Sequence, residues 1–203
     1  MLDTYKFIEK YKRISIIGME KNVGKTTLLN KLIADIGTNK KLGLTSIGRD
    51  GEDIDVVTNT DKPRIYVRRG SIIATGRNCL AKCDITKEIL YVTDFTTPMG
   101  SIVIVRALSD GYVDIAGPSY NKQVKIVVEL MEKFGSEISI VDGALGRKST
   151  AISDVSEATI LSTGAALSLD MLKVVEETKK TVYFLKLNEA EKNKIGRASC
   201  RER

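Results

Sequence analysis

The chain has 203 residues, 42% hydrophobic and 29% charged, with a formal net charge of +6 and no histidine. That length suits one globular domain, and the apolar content excludes a chain that is disordered throughout. No apolar run reaches the roughly 18 residues of a membrane-crossing helix, and without histidine neither Ser-His-Asp nor Cys-His catalysis can be assembled within the chain.

The N-terminal MLDTYKFIEKYKR is polar and lacks the apolar centre of a secretory signal, so the cytoplasm is the expected compartment. Residues 195–203 (IGRASCRER) hold three arginines against one glutamate and resemble the translation of a sequencing adapter. They are expected to be non-native, with the native sequence departing after Lys194. The charge that remains is a modest surplus for a phosphate binder, and no nucleic-acid partner and no membrane are expected.

In chain order, residues 13–17 (RISII) form a short β-branched strand that stops at Gly18. Residues 25–36 (KTTLLNKLIADI) carry Leu28, Leu29, Leu32, Ile33 and Ile36 at helical spacing, and Gly37 closes the helix. A second strand at 42–47 completes a βαβ unit, which calls for a parallel sheet flanked by helices. From about residue 62 to 116 the pattern changes. Arg69-Gly70 lies between strands at 64–67 and 71–75, as a hairpin or tight connection. Ser109-Asp110-Gly111 lies between strands at 101–107 and 112–116 as a second hairpin, with a short helix near 78–81. An antiparallel edge or insertion is therefore expected within one domain spanning residues 1–194. The parallel pattern resumes with a helix at 121–134, strands at 137–141 and 159–162, a helix at 169–178 and a last strand at 182–187.

The chemistry concentrates in residues 18–27, GMEKNVGKTT. A polyphosphate needs several donors at close range, and the amides of a loop that opens a helix supply them, aided by the helix dipole. Gly18, Asn22, Val23 and Gly24 offer that backbone, and the missing Cβ of Gly24 permits close approach. Lys25 would reach the β- and γ-phosphates, Thr26 would ligate Mg²⁺ and Thr27 would adjoin it. Five residues separate the two glycines where the usual loop has four. That spacing resembles the loops of dethiobiotin synthetase and the cobyrinic acid amide synthetases. Lys21 is a second candidate cation against the phosphates.

Asp142 ends an apolar strand (EISIVD), the position from which an acid holds Mg²⁺ or its water. After the second strand come Arg49 and Asp50, then Glu52, Asp53 and Asp55. Asp50 would hold a metal-bound water or act as general base, and Arg49 would meet a phosphate or an acidic substrate. A solvated loop explains the same letters. The loops at 116–119 and 162–165 end strands where they could touch ligand, and Arg147 and Lys148 could meet phosphate or a partner; strand-to-helix connections and a solvated pair explain the same letters at least as well. Cys79 and Cys83 share a helical face and read as half-buried thiols, not a metal pair.

The stretches IIGMEKNVGKTTLLN, GLTSIGRDGEDIDVVT, YVDIAGPS, IVDGALGRKS and ILSTGAALS resemble the small P-loop subunit of the lysine 5,6-aminomutase (or ornithine aminomutase) reactivating factor, over roughly residues 11–178. The resemblance implies a P-loop NTPase fold and a chaperone-like ATPase. It implies a larger MutS-like ATPase subunit as partner, and an adenosylcobalamin- and PLP-dependent aminomutase as client, from which damaged cobalamin is freed. Two other functions fit the nucleotide motif: an ATP-dependent ligase like dethiobiotin or amide synthetases, and a nucleotide-gated adaptor for cofactor assembly. No N-K-x-D motif is present, so ATP is preferred and GTP stays open. Self-association stays open as well.

Overall fold

The computed structural model describes residue 6, residues 8–48, 54–55, 60–61, 64–143 and 155–186. Its first strand, β1 (Arg13–Gly18), is buried at every position after Arg13. A strand covered on both faces reads as a continuous apolar run, as RISII does, and belongs in the interior of a parallel sheet. The next helix, α1 (Lys25–Ile36), buries Leu29, Leu32, Ile33 and Ile36 along one stripe, and the Gly37 amide donates to the Ile33 carbonyl at its end. Each buried Leu or Ile contributes about 1.5–3 kcal/mol of transfer free energy before chain entropy is charged against it.

Strand β2 (Leu42–Ser46) follows, then a short antiparallel pair, β3 (Ile54–Asp55) and β4 (Thr60–Asp61). Next come β5 (Ile65–Val67), β6 (Ile72–Gly76), the single-turn helix α2 (Arg77–Leu80), β7 (Lys87–Thr97), β8 (Gly100–Ala107) and β9 (Gly111–Val113). The chain closes with α3 (Asn121–Lys133), β10 (Ile138–Asp142), β11 (Ala158–Ser162) and α4 (Met171–Leu185). The seven-stranded sheet runs β11-β1-β10-β2-β6-β8-β7. Pairing is parallel from β11 to β6 and antiparallel from β6 to β7. The molecule is thus α/β, with a mostly parallel central sheet, flanking helices and an antiparallel margin.

Alternation along the strands assigns the helices to opposite faces. Ile14, Ile16, Leu44, Ile73 and Val105 pack in one core with α1, while Val141, Ile72, Ala74 and Ile104 pack in another with Val124, Val127, Val128 and Met131 of α3. Arg13 clamps α3 to the start of β1 through two 2.7 Å bonds to Glu132. No described helix is long and apolar enough to cross a membrane.

Between β2 and β6 the ladder has only two registered pairs, Gly43↔Ile72 and Leu44↔Ile73. Beyond them the segment Asp114–Pro118 lies across the strand ends, held by hydroxyls. Thr45 Oγ1 donates to the Ala74 carbonyl (3.0 Å), Thr75 Oγ1 donates to the Asp114 carbonyl (3.0 Å) and accepts from the Ala116 amide (2.9 Å), and Ser46 Oγ accepts from the Gly117 amide (2.9 Å). A Cβ on Gly117 would collide with the Ser46 carbonyl oxygen, which explains a glycine at this crossing.

Several expectations from sequence are corrected. Residues 182–185 of the strand expected at 182–187 are the last turn of α4, because nothing between Thr178 and Val182 breaks the helix and propagation adds one hydrogen bond per residue. Of the hairpin or tight connection expected at Arg69-Gly70 the structure has the connection, and the hairpin expected at Ser109-Asp110-Gly111 does not pair with itself. β5 and β9 pair with each other, so Arg69-Gly70 makes a tight connection and not a hairpin turn. The hairpin that does form joins β7 to β8 through Pro98-Met99, with Gly100 at φ 87°.

Candidate functional site

Parallel strands all end at the same side of a sheet, so whatever follows β1, β2, β10 and β11 is gathered there. Ile16 pairs with Asp142, Gly18 with Ser162, and Asp142 with Ser46. The loop after β1 is moored at its base, where the Met19 amide donates to the Ser162 carbonyl (2.9 Å).

The loop then bends through two left-handed residues, Asn22 at φ 59° and Gly24 at φ 82°. Asparagine tolerates that region better than most residues, and glycine enters it freely. Gly24 becomes the N-cap of α1, no side chain caps the helix, and its first turn carries no acid. The first intrahelical bond runs from the Leu28 amide to the Gly24 carbonyl at 2.9 Å, leaving the amides before it outside the ladder. An opening of this kind offers donors and a positive dipole end to an anion.

Lys25 leaves the first turn and folds back over the end of β1. A Cβ on Gly18 would lie 2.8 Å from Lys25 Cδ and 2.9 Å from Cγ, so the lysine stem occupies the space that glycine leaves. Val23 packs at the same spot, with Cγ2 2.7 Å from that position. Val23, Lys25 and Thr26 are half-buried, while Lys21, Asn22, Gly24 and Thr27 are exposed.

Asp142 is half-buried as a residue, but its Oδ1 is sealed from solvent and has no hydrogen-bond partner. Among the described residues it is the only sealed carboxylate oxygen without one. Burial pushes the pKa of this carboxyl up to about 6, against the opposing pull of the Lys25 ammonium and the Gly143 amide. A carboxylate stripped of water beside a single lysine lacks a second positive neighbour. A hard divalent cation supplies one, and Mg²⁺ characteristically takes one or two protein oxygens and fills its remaining positions with water and phosphate. The chemistry of such an ion suits the unpartnered Asp142 oxygen.

The structure thus brings Gly18, Asn22, Val23, Gly24, Lys25, Thr26 and Asp142 to one edge. Lys21 and Thr27 border it from the exposed side. Arg49, Asp50, Glu52 and Asp53 lie outside the described residues, as do Arg147 and Lys148, and Asp55 is described only as backbone in β3. The chain does pass toward residue 49 from this edge, with the Gly48 amide donating to the Pro118 carbonyl (3.0 Å).

Residues 116–118 prove to be buried structural cover over β2 and β6. Ser46 and Thr75, which hold that cover, and Thr45, which ties β2 to β6, were not singled out by sequence. The available signal was the run of small hydroxyl residues at strand ends. Cys79 is buried and Cys83 half-buried, and the Cys83 thiol donates to the Cys79 carbonyl (3.2 Å). Burial raises the Cys83 pKa, which keeps it a thiol. No protein-family model matches the chain, and neither a curated protein nor a solved structure matches it.

Proposed function

We propose that residues 18–27 grip the phosphates of a nucleoside triphosphate, ATP in preference to GTP, with Mg²⁺ alongside. We further propose that the chain serves as the small P-loop ATPase subunit of an aminomutase reactivating factor. One observation carries the nucleotide reading: an uncapped helix opening and a sealed, partnerless Asp142 oxygen stand at the same sheet edge, with Lys25 acting on both.

In this reading the loop amides and the first turn of α1 donate to phosphate oxygens, and the Lys25 ammonium neutralises charge at the β–γ bridge. The Thr26 hydroxyl and the Asp142 carboxylate hold the cation, which when bound supplies electrostatic stabilisation of the phosphoryl oxygens. The presence or loss of a γ-phosphate at the loop would in this reading bias a partner protein, as in other nucleotide-state switches. The reactivating role, with a MutS-like subunit and an adenosylcobalamin-dependent aminomutase, rests on the sequence resemblance. No observation among the described residues favours the carboxylate-activating ligase.

Titration with a fluorescent ATP analogue checks the first part. Saturable binding that needs Mg²⁺ and disappears on chelation is expected, and binding indifferent to Mg²⁺ would remove the reading. The second part is checked by ATP turnover and cobalamin exchange in the presence of the aminomutase and its MutS-like partner. Unchanged rates would leave a nucleotide-binding protein with a different client.

A further inference from the structure

We propose that two copies of this chain associate through α4, laid antiparallel across a two-fold axis. The helix has no buried residue, although Val174, Glu177, Thr178, Thr181 and Val182 are half-covered along one side. On that side Thr178 Oγ1 meets Thr163 Oγ1 at 3.0 Å. The opposite side carries Leu172, Glu176, Lys179 and Tyr183, whose 4-3-4 spacing sets them in one line along the helix. Leu172 is 75% exposed and Tyr183 65% exposed, a large apolar cost in water for a helix with a charged pair at its centre.

The order of that line selects the partner. Read backwards it is its own complement: an antiparallel second copy places Leu172 against Tyr183 and Glu176 against Lys179, and the two-fold axis repeats each contact. A parallel copy would set glutamate on glutamate and lysine on lysine. Within its own helix Glu176 already meets Lys180 at 2.9 Å, and a carboxylate accepts a second cation. A single pair of 15-residue helices makes an interface at the small end of the specific range, so dissociation at roughly micromolar concentration is expected.

Sedimentation velocity of the full chain from about 1 to about 200 µM tests this, and a concentration-dependent shift from monomer to dimer is expected. E176K and K179E should each weaken self-association about tenfold or more, since each puts like charges opposite one another at two places. An equimolar mixture of the two variants, or the E176K/K179E double variant, should restore it. Both side chains are exposed, so circular dichroism should report an unchanged fold. A chain that stays monomeric throughout, as it would if residues beyond 186 or an unrelated protein cover α4, overturns the proposal. Dimers insensitive to the single variants, or a mixture that fails to recover, overturn it equally. Mg-ATP binding by the variants should match the parent chain, so failure here leaves the nucleotide reading untouched.

Discussion

The two halves of the central sheet are built from similar residues but do different things. In β11-β1-β10-β2 every strand runs the same way, so an uncapped helix opening and an acid from separate parts of the sequence arrive at one edge. In β6-β8-β7 direction alternates, and the ends of neighbouring strands point apart. The first half leaves a sealed carboxylate oxygen without a partner. The second closes the core on one side and presents Ile89, Tyr91 and Val92 outward along its margin, with bulges that interrupt the ladder. Bulged margins discourage edge-to-edge pairing. Parallel connection gathers polar groups at one edge, and antiparallel connection disperses them.

The harshest way to break this contrast is at the junction. Gly117→Ala would drive a methyl into the Ser46 carbonyl, a backbone atom with no room to yield. A loss of about 3 kcal/mol or more is expected by urea denaturation, with both halves affected.

Asp142 gives a comparable effect confined to the parallel half. Its carboxyl holds a proton up to about pH 6 when folded, against an ordinary value of 3.8. Between those values the folded state binds more protons than the unfolded one, so stability of the nucleotide-free chain should fall as pH rises from about 4 to about 6, by up to about 3 kcal/mol, and level off above. Asp142→Asn should flatten that slope in thermal melts across pH. It should also remove any stabilisation by Mg²⁺ with nucleotide.

Lys25→Ala should weaken Mg-ATP binding about a hundredfold while shifting the melting midpoint little, because the lysine stem overlies Gly18 at the loop and lies outside both cores. Calorimetric titration reads the first quantity and scanning calorimetry the second. Smallest of all, Val92→Lys on the antiparallel margin should stay within about 0.5 kcal/mol of the parent and leave nucleotide binding unchanged. A large loss there would mean that the margin is not the passive cover described.

Legibility in the sequence followed the same divide. The β1–α1–β2 unit carries its own punctuation: Gly18 and Gly24 bound the loop, apolar residues recur at helical spacing, and Gly37 ends the helix. Asp142 was legible because a run of buried residues ends abruptly in an acid. In the antiparallel half the turn signals at residues 69–70 and 109–111 mark real turns, yet partner choice is decided by strands distant in sequence. β7 escaped notice because its covered residues, Leu90, Thr93 and Phe95, fall out of step at the bulges and leave no clean alternation over the whole strand. The end of α4 misled for another reason: TVYFL has the β-branched and aromatic character of a strand, while its conformation is inherited from the helix before it. Arg49 and Asp50, expected to meet a phosphate or acidic substrate and to hold a metal-bound water or act as general base, lie outside the described residues.

The ladder between β2 and β6 has two residue pairs, supplemented by hydroxyls and the covering segment, whereas β10 and β2 share five pairs, and so do β6 and β8. Side-chain hydroxyls swap partners with water more readily than laddered amides do. Pulled from its two ends, the sheet would tear along this line first, and amide exchange at Leu44 and Ala74, whose N–H groups face across it, would register the opening before any other interior strand gives way.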